Sequence, residues 1–140
     1  MKALWLVSFR PIGKSELNDR YQSMFVDSVK NLDFDITFSL TQFEEANVKS
    51  FIDEKKIKNY FTNISKKKLP FGKKYSNKLM LDNALDQYIK NDFDFLIYST
   101  ADIILPKKLF SILSKIKYEN YCSFIYPNLH IKNGKLKRKF

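Results

Sequence analysis

A carboxylate follows the apolar, strand-like stretch from residue 93 to residue 99. Asp102 stands just past this stretch, on a short loop that ends at Pro106. Ligands of open α/β sheets bind beyond the carboxyl ends of the strands, and a carboxylate there can hold a hard divalent cation that neutralises a diphosphate. The alternative is a structural role, in which Asp102 caps the next helix or turn. Asp102 is therefore the first candidate for metal chemistry.

Other side chains that commonly carry chemistry occur without the partners they need. Cys122 is the only cysteine, so the chain can form neither an intramolecular disulfide nor a cysteine-based metal cluster. His130 is the only histidine and has no second ligand at metal-binding spacing. The sequence contains no Walker loop, no Gly-x-Gly-x-x-Gly, no serine nucleophile elbow and no zinc pattern. Kinase, dehydrogenase and hydrolase functions therefore lack support.

Strand-like and helix-like segments alternate along the chain. Apolar runs predict strands at 3–9, 34–40, 57–64, 93–99 and 121–126. Helical spacing predicts helices at 15–32, 43–56 and 76–90, with a further helix beginning at Pro106. This alternation is typical of an α/β fold, and we expect a Rossmann-like open, mostly parallel sheet with helices on both faces.

Two of the helices carry more detailed predictions. Ser15 is a suitable N-cap for the helix at 15–32, because its hydroxyl can accept a hydrogen bond from a free backbone N–H of the first turn. In the helix at 76–90, the spacing predicts a single apolar face made of Leu81, Ala84, Leu85, Tyr88 and Ile89.

The stretch from residue 78 to residue 109 carries a recognisable pattern. Lys78 is followed five residues later by Asn83, then by the strand at 93–99, and then by Thr100-Ala101-Asp102. In this order and spacing the chain resembles the family-2-like GT-A glycosyltransferases, whose metal motif is Asp-x-Asp followed by a proline and a leucine. The resemblance extends in outline over residues 3–126, and implies the nucleotide-sugar-binding part of a truncated GT-A fold.

The resemblance implies a donor site at the carboxyl edge of the sheet. A nucleotide-diphosphate sugar would bind there, with Asp102 ligating a Mn²⁺ or Mg²⁺ ion that bridges the diphosphate. Lys78 would lie near the nucleotide or its phosphates. The other implied binding residues are Ser8, Phe9 and Arg10, which would border the base, together with Asn83, Thr100 and Ala101.

Two positions depart from the family pattern. Thr100 replaces the first aspartate of the metal motif, so a neutral hydroxyl stands where relatives carry a charged ligand, and we expect a lower metal affinity. Relatives also end their second strand with an acidic pair that contacts the base, whereas residues 39–43 contain no acidic residue and Glu44 and Glu45 come later.

The function implied by the resemblance is transfer of a sugar from the donor to a glycan or a lipid-linked acceptor. Inverting enzymes of this kind need a carboxylate base, which in the family lies beyond the point where this sequence stops, so no catalytic residue is assigned. One alternative is a non-catalytic nucleotide-binding module of the same fold. Another is a small basic nucleic-acid-binding protein, which the charge permits but no recognisable motif supports.

The formal net charge of +10 bears on partners and location. Basic proteins collect on nucleic acids, anionic lipids and phosphorylated ligands, although a Lys- and Asn-rich composition also fits an AT-rich coding bias. We expect a GT-A-like nucleotide-sugar-binding domain at 1–126 and a basic C-terminal extension at 127–140 that could contact an anionic membrane. No apolar run approaches the ~20 residues of a membrane span. The expected location is the cytoplasm, or the inner membrane surface, with homodimer formation through an exposed sheet edge as a further expectation.

Overall fold

The computed structural model describes residues 1–65, 77–103, 105, 108, 111, 115, 128–132 and 135–139. These residues fall into two compact units, one spanning 1–110 and the other 111–140. The lysine-rich stretch 66–74, which its Pro70 and Gly72 predict to be a loop, and the strand predicted at 121–126 lie outside the described residues, as does almost all of the helix predicted from Pro106.

The first unit contains a four-stranded sheet in which every neighbouring pair is parallel. Its strands are β1 (Lys2–Ser8), β2 (Asp35–Phe43), β3 (Asn59–Ile64) and β4 (Phe95–Thr100). They lie side by side in the order β3-β2-β1-β4. In β1 the five consecutive apolar residues 3–7 are fully buried, as expected of an inner parallel strand covered on both faces.

Three α-helices connect and cover these strands. They are α1 (Glu16–Lys30), α2 (Val48–Lys55), which is preceded by a single 3₁₀ turn (Glu44–Ala46), and α3 (Asn77–Lys90). Ser15 caps α1 as predicted, since its Oγ accepts a hydrogen bond from the Asn18 N–H at 3.4 Å.

Helices pack on both faces of the sheet. On one face Phe25 of α1 meets the Trp5 ring edge-on at a centroid distance of 5.7 Å. On the other face Met80 and Ala84 of α3 form a buried cluster with Leu6. Trp5 and Leu6 are consecutive residues of β1, and consecutive side chains of a strand point to opposite faces. The predicted α/β architecture with helices on both faces is therefore confirmed for α1 and α3.

The boundary between β2 and the next helix differs from the prediction. β2 continues to Phe43, because it remains paired with β3 up to the Phe43–Ile64 pair. The helix predicted from residue 43 begins only at Val48, after Asn47 adopts a left-handed conformation (φ 55°) that ends the 3₁₀ turn. Pairing with a neighbouring strand thus outweighs the helical pattern at Phe43, and the 3₁₀ turn with Asn47 delays the start of α2 to Val48.

The buried face predicted for α3 is confirmed at Ala84 but not at Leu81, Leu85 or Ile89. Met80 and Ala84 are buried, whereas Leu81 and Leu85 are nearly half exposed and Ile89 is 80% exposed. Both the predicted and the observed buried residues recur at helical spacing. The observed set is buried because α3 lies over β1 and β2 with its Met80 side toward them. Position on the sheet, rather than the sum of apolar residues on one side, decides which face is covered.

The second unit contains an antiparallel pair of strands, β5 (Asn128–Lys132) and β6 (Lys135–Lys139). The Lys132–Lys135 pair leaves two residues between the strands, Asn133 and Gly134 in the sequence. Asn-Gly is a strong signal for a two-residue hairpin connection. Within the basic extension predicted at 127–140, residues 128–132 and 135–139 therefore form paired strands.

Candidate functional site

A cleft of about 200 Å³ opens at the carboxyl ends of β1 and β4. The strand order β3-β2-β1-β4 means that the chain moves outward in one direction from β1 to β3 and then crosses to the other side of β1 for β4. Such a reversal creates a crevice between the two strands concerned, which is where open α/β sheets bind ligands. The residues that line the cleft are Ser8, Phe9, Arg10, Gln22, Thr100, Ala101 and Asp102.

The register of β1 and β4 brings the two predicted segments together. Ser8 pairs with Thr100, and the Ala101 N–H donates to the Ser8 carbonyl at 3.2 Å, which extends the ladder past both strands. Ala101 is buried, while the side chains of Arg10 and Asp102 on either segment are exposed. Six of the predicted binding residues therefore line one cleft.

Two buried glutamines hold the chain just after β1. Gln22 of α1 accepts a hydrogen bond from the Arg10 N–H at 2.6 Å and donates to the Arg10 carbonyl at 3.4 Å. Gln42 of β2, with its amide oriented so that both groups are satisfied, accepts from the Phe9 N–H at 3.0 Å and donates to the Phe9 carbonyl at 3.3 Å. The backbone of residues 9 and 10 is thus held at four polar atoms.

The backbone N–H groups of this loop are all used within the protein. Besides Phe9 and Arg10, the Ile12 N–H donates to a backbone carbonyl and the Gly13 N–H to Asp19 Oδ2, each at 2.9 Å. Pro11 has no N–H to offer. Loops that bind phosphate through the main chain need free N–H groups that converge on the anion. Residues 9–13 cannot form such a cradle, so anion binding here would depend on side chains or on a metal ion.

The two charged side chains of the cleft are available for a ligand. Within the described part of the chain, neither the Arg10 guanidinium nor the Asp102 carboxylate takes part in an ion pair or a side-chain hydrogen bond. They carry opposite charges and follow two adjacent strands, β1 and β4. A cation from one loop and a carboxylate from the other therefore line the same cleft.

The donor set of the cleft suits a magnesium-like ion only in part. Its oxygen donors are the Asp102 carboxylate and the hydroxyls of Ser8 and Thr100. Among the described residues, no three His, Cys, Asp or Glu side chains come together to hold a metal. Mg²⁺ is commonly bound through one or two carboxylates, with substrate phosphates and water completing the shell. The residues fit such an ion if a ligand supplies the remaining oxygens.

Two of the predicted binding residues lie away from the cleft. The Lys78 ammonium is 2.6 Å from the Asp82 carboxylate on the exposed side of α3. The Asn83 amide donates to Thr41 Oγ1 at 3.0 Å, which fastens α3 to β2. Neither side chain lines the cleft.

Phe9 contributes little surface to the cleft. Its ring packs in the core against Phe25, Phe38 and Phe51 at centroid distances of 5.8–6.3 Å, and the residue is only 5% exposed. It is not available as a platform on which a base could stack.

Gln22 is the lining residue that sequence reasoning missed. It lies on the same buried face of α1 as Phe25, Val26 and Val29, and is itself only 1% exposed. A glutamine at helical spacing with three apolar residues is the sequence signal that would have revealed it, because a buried amide requires polar partners.

The fold and the position of the cleft give the structural class of the first unit. Its first unit is an α/β protein with an all-parallel four-stranded sheet and a cleft at the point where the strand order reverses. Comparisons with protein families, curated proteins and solved structures gave no match. None of the helices formed by the described residues is long and apolar enough to cross a membrane.

Proposed function

We propose that the cleft binds the diphosphate of a nucleotide-diphosphate sugar, and that the chain is a glycosyltransferase or its donor-binding half. The sheet would then be the Rossmann-like core of a GT-A-type domain. The observation that carries this proposal is that Arg10 and Asp102, each assigned from the sequence, line the same cleft from different strands. The acceptor would be a glycan or a lipid-linked sugar.

The charges of the cleft suit a diphosphate. A departing nucleoside diphosphate develops negative charge, which a metal ion and a nearby cation both stabilise. Asp102 would hold Mn²⁺ or Mg²⁺, with the hydroxyls of Ser8 and Thr100 nearby, and Arg10 would contact the phosphate oxygens. The bound ion would supply Lewis-acid stabilisation of the leaving diphosphate.

The size of the cleft supports assigning it to the diphosphate. Sites that enclose a whole small molecule commonly measure about 300–1,000 Å³. A cleft of about 200 Å³ is smaller than this. The nucleoside and the sugar would therefore extend beyond the seven lining residues.

One observation favours a second candidate, a nucleotide-binding module without catalysis. Asp102 is the only carboxylate that lines the cleft. If it holds the metal ion, no lining carboxylate among the described residues remains to deprotonate an acceptor hydroxyl, as inverting transfer requires.

Thermal unfolding with nucleotides tests the donor site. UDP, GDP, CDP and their sugars would each be added with and without Mn²⁺, to the wild-type protein and to Asp102→Asn. A ligand at about 100 times its Kd adds about 2.7 kcal/mol of stability. We expect a metal-dependent rise in Tm for one nucleotide that Asp102→Asn abolishes. Asp92→Asn is the matched control, because Asp92 is exposed and precedes β4 at the opposite end of the strand.

Two further results decide between the candidates. Release of nucleoside diphosphate from the preferred donor, absent in Asp102→Asn, supports a transferase, whereas tight binding without release supports the module. No stabilisation by any nucleotide, combined with salt-dependent binding of an oligonucleotide, would contradict both and favour nucleic-acid binding.

A further inference from the structure

We infer that Gln22 and Gln42 are positioning residues that hold Arg10 at the cleft for contact with the diphosphate. We call these two residues the glutamine clamp. The inference rests on the proposed function, since it assigns Arg10 to the phosphate groups, but it adds a role for two residues that no motif identifies. Gln22 comes from α1 and Gln42 from β2, so two separate elements hold one short segment.

Burial is the first argument for a specific role. Gln22 is 1% exposed and Gln42 is 5% exposed. Burying a carboxamide is unfavourable unless its polar atoms are hydrogen-bonded, so an apolar residue would be the simpler occupant of either position. Each amide instead uses its donor and its acceptor on the main chain of one residue, Gln22 on Arg10 and Gln42 on Phe9.

The second argument is which residues are held. The clamp acts on Phe9 and Arg10, the two residues that follow β1 and enter the cleft wall. Each amide binds both the N–H and the C=O of its residue, which restricts the backbone on either side of the peptide bond between them. The Arg10 side chain therefore starts from a defined position, while its exposed guanidinium stays free to meet a ligand.

The third argument concerns which groups of residues 9–13 can still bind a phosphate. Because the clamp and two further hydrogen bonds use the N–H groups of residues 9–13, the main chain cannot bind phosphate there. Within the part of the chain that the structure describes, the guanidinium of Arg10 is the only cationic group that lines the cleft. Holding its backbone in place before binding reduces the conformational entropy lost when the diphosphate binds.

The two glutamines differ in a way that separates positioning from direct contact. Gln22 lines the cleft, whereas Gln42 does not. A ligand could touch Gln22 directly, but Gln42 can affect binding only through the segment that it holds. Weakened binding in a Gln42 variant is therefore the diagnostic result.

The test uses inorganic pyrophosphate with Mn²⁺, and UDP, GDP and CDP in parallel, by titration calorimetry on the full chain. Gln22→Met and Gln42→Met retain the side-chain volume and remove the hydrogen bonds. Each would be made in the wild-type and in the Arg10→Ala background. We expect each to weaken binding about three- to tenfold in the wild type and to have no further effect without Arg10.

A control and a second readout keep the test decisive. Val29→Ala, at a buried position two turns further along α1, should lower stability but leave pyrophosphate affinity unchanged. Hydrogen exchange at the Phe9 and Arg10 amides should accelerate in the glutamine variants and not in Val29→Ala. Should methionine prevent folding, Gln22→Asn and Gln42→Asn keep an amide that is one methylene too short to reach its partners.

The outcomes separate this inference from the proposed function. Faster exchange with unchanged pyrophosphate affinity, or a loss that persists in the Arg10→Ala background, overturns the positioning role and leaves the donor site standing. A wild-type protein that binds neither pyrophosphate nor any nucleotide overturns the proposed function, and the inference with it.

Discussion

Ser8 and Thr100 are the last paired residues of β1 and β4, and each is followed two residues later by a charged side chain. Arg10 follows Ser8, and Asp102 follows Thr100. Because the two strands are parallel, equal steps past the last pair place both charges at the same edge of the sheet. The cleft that both residues line therefore carries one cationic and one anionic side chain.

Mn²⁺ should bind weakly by itself and much more tightly together with a nucleoside diphosphate. Among the described residues, Asp102 is the only carboxylate that lines the cleft, so we expect the phosphate oxygens to complete the coordination of the ion. We expect a Kd of about 1 mM or weaker for Mn²⁺ alone, measured by electron spin resonance of the free ion. Tight binding of the ion without a nucleotide would show that further protein ligands exist.

Replacing Arg10 should weaken nucleotide binding. Hydrogen bonds to charged groups contribute about 1.5–3 kcal/mol, so Arg10→Ala should raise the Kd of the preferred nucleotide by about ten- to a hundredfold. Titration calorimetry would measure this against Arg20→Ala, which removes an exposed arginine from α1 outside the cleft. Equal losses in both variants would indicate a general charge effect in place of a specific contact.

The orientation of α3 can be tested with two adjacent residues. Met80 packs against Leu6 and is only 2% exposed, whereas Leu81 is 44% exposed. Truncating a buried methionine creates a cavity, so Met80→Ala should lower the free energy of unfolding by about 2–5 kcal/mol. Leu81→Ala should change it by less than about 1 kcal/mol. Urea denaturation of both variants measures the difference, and the reverse ranking would mean that α3 is rotated by about one residue.

Acidification should remove the small contribution that the Asp35 carboxylate makes to the free energy of unfolding. A hydrogen bond from the Lys58 ammonium lowers the pKa of Asp35 below its ordinary value of 3.8, and the charges of Lys58, Lys2 and the amino terminus lower it further. A carboxyl group whose pKa is lower in the folded than in the unfolded state stabilises the folded state above pH 3.8. This stabilisation is lost as the pH falls through the folded-state pKa.

The Asp35 pair is exposed, so its effect should stay below about 1 kcal/mol and diminish in high salt. Urea denaturation at pH 7 and near pH 3 would compare the wild-type protein with Asp35→Asn. We expect the variant to be slightly less stable than the wild-type protein at pH 7, and the difference in the free energy of unfolding to shrink as the pH falls. A difference that is independent of pH would rule out the ion pair as its cause.

The elements that sequence reasoning located well are those specified by local signals. The uninterrupted apolar run of β1 and the Ser15 cap of α1 both depend on a few neighbouring residues. The end of β2 and the start of α2 were misplaced because pairing with β3, a distant segment, extends the strand to Phe43. Local propensity does not contain that information.

Sequence reasoning about the site also depended on local signals and could not foresee contacts between distant segments. Asp102 became a candidate because it follows a predicted strand, and ligands bind at the carboxyl ends of parallel strands. Arg10 became a candidate through the family resemblance, which implied a place beside the base and not beside the phosphates. That the two residues share one cleft required the strand order and the Ser8–Thr100 register. Gln22 and Gln42 were missed because a glutamine's partner can lie anywhere in the chain, and the partners here are backbone atoms of Phe9 and Arg10.

The sequence by itself determined the alternation of strands and helices, and the charged residues at the ends of β1 and β4, because periodicity, capping and composition act over short distances. Only the tertiary structure decided that β4 lies beside β1, that Met80 and not Leu81 faces the sheet, and that Gln22 and Gln42 hold the backbone of Arg10 and Phe9 respectively. These features depend on burial and hydrogen bonding between segments far apart in the chain. Such contacts are settled by the packing of the whole unit, since each buried polar group must find its partner there.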